Sequence, residues 1–158
     1  MFVFEWIEET RVALWVGESL WGYPILLSLH IVGLASVVGI FTMLNFRLLG
    51  VIKEVGFEPL GTLFGLAWIG LTINSLSGLA LFSSQATIFV TNIPFLIKIA
   101  SIVLGVLIAR RILKRVRSDG SDWDSGTSAP DRSVRILAVA SLTCWTFATF
   151  GGRLIAYL

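Results

Sequence analysis

The chain has 158 residues, of which 56% are hydrophobic and only 14% charged, where soluble globular chains carry roughly 25%. With a mean hydropathy of +0.87, an ordinary soluble domain is excluded. The net charge of +2 does not point to nucleic acid, because Lys and Arg cluster beside apolar runs in the manner of membrane topology. A single cysteine, Cys144, excludes an intrachain disulfide and any CxxC motif, and a single histidine, His30, excludes a bis-histidine site within one chain.

Residues 1–18 place Val3, Trp6, Ile7, Thr10 and Leu14 on one helical stripe, with Glu5, Glu8 and Glu9 largely opposite. That pattern predicts a short helix lying on the membrane interface, with Trp6 and Trp15 at headgroup depth. A frayed extension of the first span is the alternative. The acidic residues stand where a signal peptide carries basic ones, and no A-x-A site follows, so the first span is expected to remain in the mature protein.

Four apolar runs reach the roughly 20 residues needed to cross a bilayer. They cover about 20–44, 60–82, 94–113 and 134–157, so the expected fold is all-α, a four-transmembrane-helix bundle in one membrane domain. Pro24 falls in the first turn of the first span and Pro59 at the start of the second, where a missing N–H costs little. Asn92 is the expected cap of the third span, and Asp131 or Ser133 that of the fourth. Between the last two spans, residues 114–133 should form a flexible connection, its SDGSDWDSGTSAPD stretch being small, polar and acidic.

Orientation follows from the basic residues. Arg110, Arg111, Lys114, Arg115, Arg117, Arg132 and Arg135 flank the last connection, and Arg47 and Lys53 the first, whereas residues 83–93 carry no charge. Both basic connections are therefore expected in the cytoplasm and both termini outside, which for a bacterial inner membrane means the periplasm.

Within a membrane the informative residue is the polar one, since its burial must be compensated. At about 1.5 Å of rise per residue, His30 lies within about 3 Å of the midplane. Asn74 lies about 5 Å outward of it, Lys98 about 7 Å and Arg153 about 10 Å. Each span contributes one of these four, all at the midplane or in one leaflet. His30 shares its face with Gly33. Asn74 stands between Gly70 and Gly78, a small-residue stripe that lets helices approach. Lys98, Ser101 and Gly105 share a face, as do Thr146, Thr149 and Arg153. Plainer readings stand beside these: His30 as a helix-to-helix hydrogen bond, Lys98 and Arg153 as side chains reaching for headgroups, and Cys144 as a small buried hydrophobe.

The first span contains Leu29-His30-Ile31-Val32-Gly33 and ends Asn45-Phe46-Arg47-Leu48-Leu49-Gly50. This resembles a group of small bacterial four-helix inner-membrane proteins that share an L-H-x-x-G first helix ending in D-L-R-L-L-G, with Asn45 here in place of the Asp. More distantly, H-x-x-G on a membrane helix resembles the haem-bearing helices of b-type cytochromes. That resemblance implies haem b, with His30 as axial ligand to the iron and Gly33 making room for the porphyrin. Lys98 and Arg153 would pair the propionates, with Asn74 nearby. Those cytochromes pair two histidines, so with His30 alone the iron would be five-coordinate or take its sixth ligand from elsewhere. The functions left open are electron transfer or small-ligand redox chemistry with a redox partner on the outer side, and a cofactor-free accessory subunit. A small transporter or a quinone- or anion-binding protein also remains, as does copper handling. The glycine-rich faces suggest a homo-oligomer in the lipid bilayer.

Overall fold

The computed structural model describes residues 2–155. Seven helices follow in order: α1 (Phe2–Glu8), α2 (Arg11–Glu18), α3 (Gly22–Leu48), α4 (Phe57–Ser83), α5 (Ala86–Phe89), α6 (Ile93–Asp124) and α7 (Arg132–Leu154). Four of them, α3, α4, α6 and α7, are long and apolar enough to cross a membrane. The protein is thus an all-α four-helix bundle of the multi-pass membrane type. The last two residues of the expected fourth span, 156 and 157, lie outside the described residues.

The four long helices form a ring in the order α3, α4, α6, α7. Within it α3 packs closely on α4, α6 closely on α7, and α3 on α7, while α4 and α6 touch sparingly. Small residues explain the close pairs. A Cβ on Gly33 would stand 2.7 Å from both Asn74 N and Gly70 O, so α3 and α4 touch backbone to backbone there. On the other pair, Gly105 lies under the Trp145 ring and Gly151 against Lys98. The glycine stripes that suggest an oligomer are therefore occupied within a single bundle.

One end of the bundle carries α1, α2 and α5 and is here termed the capped end; the opposite end carries most of the Arg and Lys residues and is the basic end. The large apolar core occupies the basic half, where Phe41, Leu44, Phe64, Ile112 and Trp145 are buried together. Phe41 and Trp145 stack at 5.6 Å, and one turn further Asn45 donates through Nδ2 to Ser141 Oγ at 2.9 Å. Large side chains left exposed, such as Ile31, Ile69, Leu79, Val103 and Phe150, cover the bundle's outside, as expected of a surface facing lipid.

The caps follow the sequence. Asn92 accepts from Phe95 N at 3.0 Å, and Asp131, not Ser133, accepts from Val134 N at 2.8 Å. The amino-terminal segment forms two helices where one was expected. Thr10 breaks it by accepting from Ala13 N at 3.3 Å, as an N-cap does. Ala13 and Val16 are the buried residues, while Val3, Trp6, Leu14 and Trp15 stay exposed. Glu8 ties α1 to α5 by accepting from Thr87 N at 2.9 Å and Thr87 Oγ1 at 2.7 Å. Those two bonds hold its carboxyl below the usual range.

The flexible connection expected over residues 114–133 is a correction. Helix α6 continues to Asp124, and only residues 125–131 leave helical geometry. The reason is a stripe of Val116, Gly120 and Trp123, all buried at helical spacing. Gly120 lies against Phe57, and the Trp123 ring meets the Phe57 ring edge-on at 5.4 Å. Asp124 completes the clasp. Its Oδ2 accepts from Phe57 N at 2.7 Å and its Oδ1 from Arg47 Nη2 at 3.0 Å. Gly56, at the N-cap position of α4, has no side chain to offer, so α6 supplies the cap that α4 lacks. Such caps contribute about 1 kcal/mol.

Candidate functional site

His30, Asn74 and Lys98 come together in the capped half. His30 and Asn74 clamp α3 to α4 reciprocally. The Asn74 side chain donates through Nδ2 to His30 O at 2.8 Å, and the His30 ring places Nδ1 3.0 Å from Asn74 O. A carbonyl oxygen only accepts, so Nδ1 carries the proton. Ser77 Oγ, 3.2 Å from Nδ1, donates its own hydrogen to Ile73 O at 2.6 Å and can accept only from that same N–H. The neutral ring then keeps its lone pair on Nε2. Nε2 faces Lys98 Nζ across a long contact of 3.5 Å.

Lys98 reaches this position along α7. Gly151 and Gly152 lie against its stem, and a Cβ on Gly152 would stand 3.5 Å from Nζ. With two glycines beside it, the lysine lies flat and aims inward instead of reaching for the membrane surface. Among the described residues the ion pairs are Arg47–Asp124, Arg115–Asp119 and Arg115–Asp131, so no carboxylate pairs with Lys98.

Two cavities meet at this pair. A cleft of about 450 Å³ opens sideways between α4 and α6, lined by apolar side chains including Leu79, Leu96, Ile99 and Ile102. A second cavity of about 260 Å³ runs toward the capped end, where Tyr23, Ser84 and Gln85 line it. His30, Gly78, Phe82, Phe95 and Lys98 belong to both. The rings of Phe82, Phe89 and Phe95 are stacked on one another at 5.4–6.3 Å and roof the polar pair. Gly78 contributes by absence, since a Cβ there would stand 3.0 Å from His30 Cε1.

The remaining expected site residues lie elsewhere. Gly33 faces Gly70 and Asn74, so α4 fills the room that a porphyrin would need beside it. Arg153 is exposed and lines neither cavity. Cys144 lies near Gly105 on the α6–α7 contact, away from His30. Among the described residues no three His, Cys, Asp or Glu side chains converge. Sequence reasoning missed Ser77 as the second neighbour of the imidazole and the stacked phenylalanines. For Ser77 the signal was available, three residues beyond Asn74 on the same face. Comparison with known protein families, curated proteins and solved structures finds no match.

Proposed function

We propose that this protein is a multi-pass protein of a bacterial inner membrane that holds a lipid-soluble carbonyl compound of quinone type. The single observation that carries the reading is a lateral apolar cleft that ends on the His30 imidazole and Lys98 Nζ, 3.5 Å apart, with no carboxylate paired to the lysine among the described residues. Ligand sites of this kind combine a mostly apolar lining with a few placed polar groups. A quinone presents a carbonyl oxygen, which accepts from Lys98 Nζ, beside a flat ring that lies against Phe82 and Phe95. Its isoprenoid tail leaves between α4 and α6, which touch only sparingly, into the acyl chains. His30 is held by Asn74 and Ser77 in one orientation, so the polar end of the site is preorganised.

Haem b at His30 is the second reading, favoured by one observation. The Nδ1–H bond to the Asn74 carbonyl leaves Nε2 turned to the cavity, as a backbone carbonyl does for metal-bound histidines. Against it, Lys98 Nζ stands 3.5 Å from Nε2, where iron would bind, and neither Gly33 nor Arg153 faces the cleft. The experiment is a titration of the purified full chain with a short-tailed benzoquinone, followed by calorimetry, with a visible spectrum of the same sample. Saturable binding near one per chain, and no Soret band, is the expected result. A Soret band with no quinone binding would replace this reading by the haem one.

The basic end is assigned to the cytoplasm and the capped end to the periplasm by the distribution of Lys and Arg. With Cys144 replaced by Ser, Thr10→Cys is expected to react with a membrane-impermeant maleimide on intact cells and Ser121→Cys only after lysis. The reverse pattern would invert the orientation.

A further inference from the structure

The sparse contact between α4 and α6 leaves hollows beyond the quinone cleft. One of about 280 Å³ lies where α6 turns from apolar to basic, lined by Trp68 of α4 and by Arg110, Leu113, Lys114 and Arg117 of α6. The three cations are spaced i, i+4 and i+7, on one face of the helix. The Arg110 guanidinium lies 5.7 Å from the centre of the Trp68 ring, which holds it beside the hollow.

Most cations at this end form no ion pair among the described residues, and what distinguishes Arg110, Lys114 and Arg117 is that all three line one hollow. Arg47 is paired to Asp124, and Arg115 to Asp119 and Asp131. Among the described residues, Arg110, Lys114 and Arg117 form no ion pair. Three unpaired cations thus surround one hollow at the edge of the apolar span. On the same face of α6, Val103 and Leu107 stand exposed toward the bilayer centre.

We infer that this hollow is a binding site for an acidic phospholipid of the leaflet at the basic end. The phosphodiester lies among Arg110, Lys114 and Arg117, and an acyl chain runs along Val103 and Leu107. Basic pockets between membrane helices bind lipid headgroups through such a combination of point charges and apolar track. The ammonium of Lys114 supplies a point charge, and the two guanidiniums supply paired N–H donors that match phosphate oxygens. The inference does not depend on what occupies the cleft at His30.

The test uses the purified full chain in neutral detergent and reads its melting temperature. Phosphatidylglycerol should raise it saturably, whereas phosphatidylcholine and inorganic phosphate should not. In Arg110→Gln/Lys114→Gln/Arg117→Gln, half-saturation should need about a hundredfold more phosphatidylglycerol. Arg111→Gln/Arg132→Gln/Arg135→Gln removes the same charge from the same end without touching the residues that line the hollow, and should change it far less. If the first triple variant does not fold, Arg110→Gln/Lys114→Gln against Arg111→Gln/Arg132→Gln carries the same comparison. Equal losses in both sets would mean diffuse attraction and overturn the site. Equal stabilisation by inorganic phosphate would overturn the lipid as its occupant, and no stabilisation by phosphatidylglycerol would overturn both.

Discussion

Lys98→Gln is expected to weaken binding of a short-tailed benzoquinone by about 10- to 100-fold, while Arg153→Gln leaves it unchanged. A hydrogen bond from a charged donor contributes about 1.5–3 kcal/mol, and each 1.4 kcal/mol is about tenfold in affinity. Lys98 supplies that donor at the polar end of the cleft. Glutamine keeps a donor but loses the charge and some length, so part of the head-group contact should survive. Arg153 carries the same charge on the neighbouring helix, yet it is exposed and lines neither cavity. The pair therefore separates a specific contact from the general pull of positive charge. His30→Ala adds a third arm. It removes the bond to Asn74 O, so its affinity loss should come with a lower melting temperature, whereas Lys98→Gln should melt near the wild type. Calorimetric titration of the three variants is the measurement, and equal losses for Lys98→Gln and Arg153→Gln would sink the assignment.

Much of the bundle was legible in the sequence because a membrane simplifies the reading. The number of spans and the shared level of His30, Asn74 and Lys98 follow from hydropathy and rise per residue, and the Asn92 cap and the choice between Asp131 and Ser133 follow from capping chemistry. Direction around each helix was harder. Gly33 shares a face with His30, but whether that face meets a cofactor or another helix depends on Gly70, which lies 37 positions away in the chain. Lys98 and Arg153 read alike as cations in one leaflet. They differ because Gly151 and Gly152 make a bed for the lysine stem, whereas Arg153 lies on the exposed side of α7. The phenylalanines carried no signal, since Phe in an apolar span is as ordinary against lipid as against another ring. The carboxy-terminal extension of α6 was hidden for a related reason. The composition of residues 118–131 favours disorder, and three residues at helical spacing, Val116, Gly120 and Trp123, together with the clasp of Asp124 on α4, outweigh it.

The largest effect on stability is expected from Gly33→Ala, a change that adds one methyl group. An added Cβ would stand 2.7 Å from Asn74 N, 2.7 Å from Gly70 O and 3.0 Å from Asn74 Cβ. Two of those atoms are backbone in the middle of α4, so no side chain can rotate aside and the helices must part. Overpacking of this kind costs about 1–3 kcal/mol. Parting α3 from α4 also stretches both arms of the clamp, the bond from Asn74 Nδ2 to His30 O and that from His30 Nδ1 to Asn74 O. Gly39→Ala provides the control on the same helix. Nothing lies within 4 Å of a Cβ at Gly39, and exchanging a helical glycine for alanine there should stabilise by about 0.5–1 kcal/mol. The two variants differ from each other only in which face of α3 receives a methyl group, so propensity and composition cancel between them. Thermal unfolding in detergent should lower the melting temperature for Gly33→Ala and hold or raise it for Gly39→Ala. Gly33→Ala should also lose affinity in the quinone titration, because the imidazole moves with its helix. Equal melting of the two variants would mean that α3 and α4 do not touch backbone to backbone at Gly33, and the orientation of His30 would then lose its support.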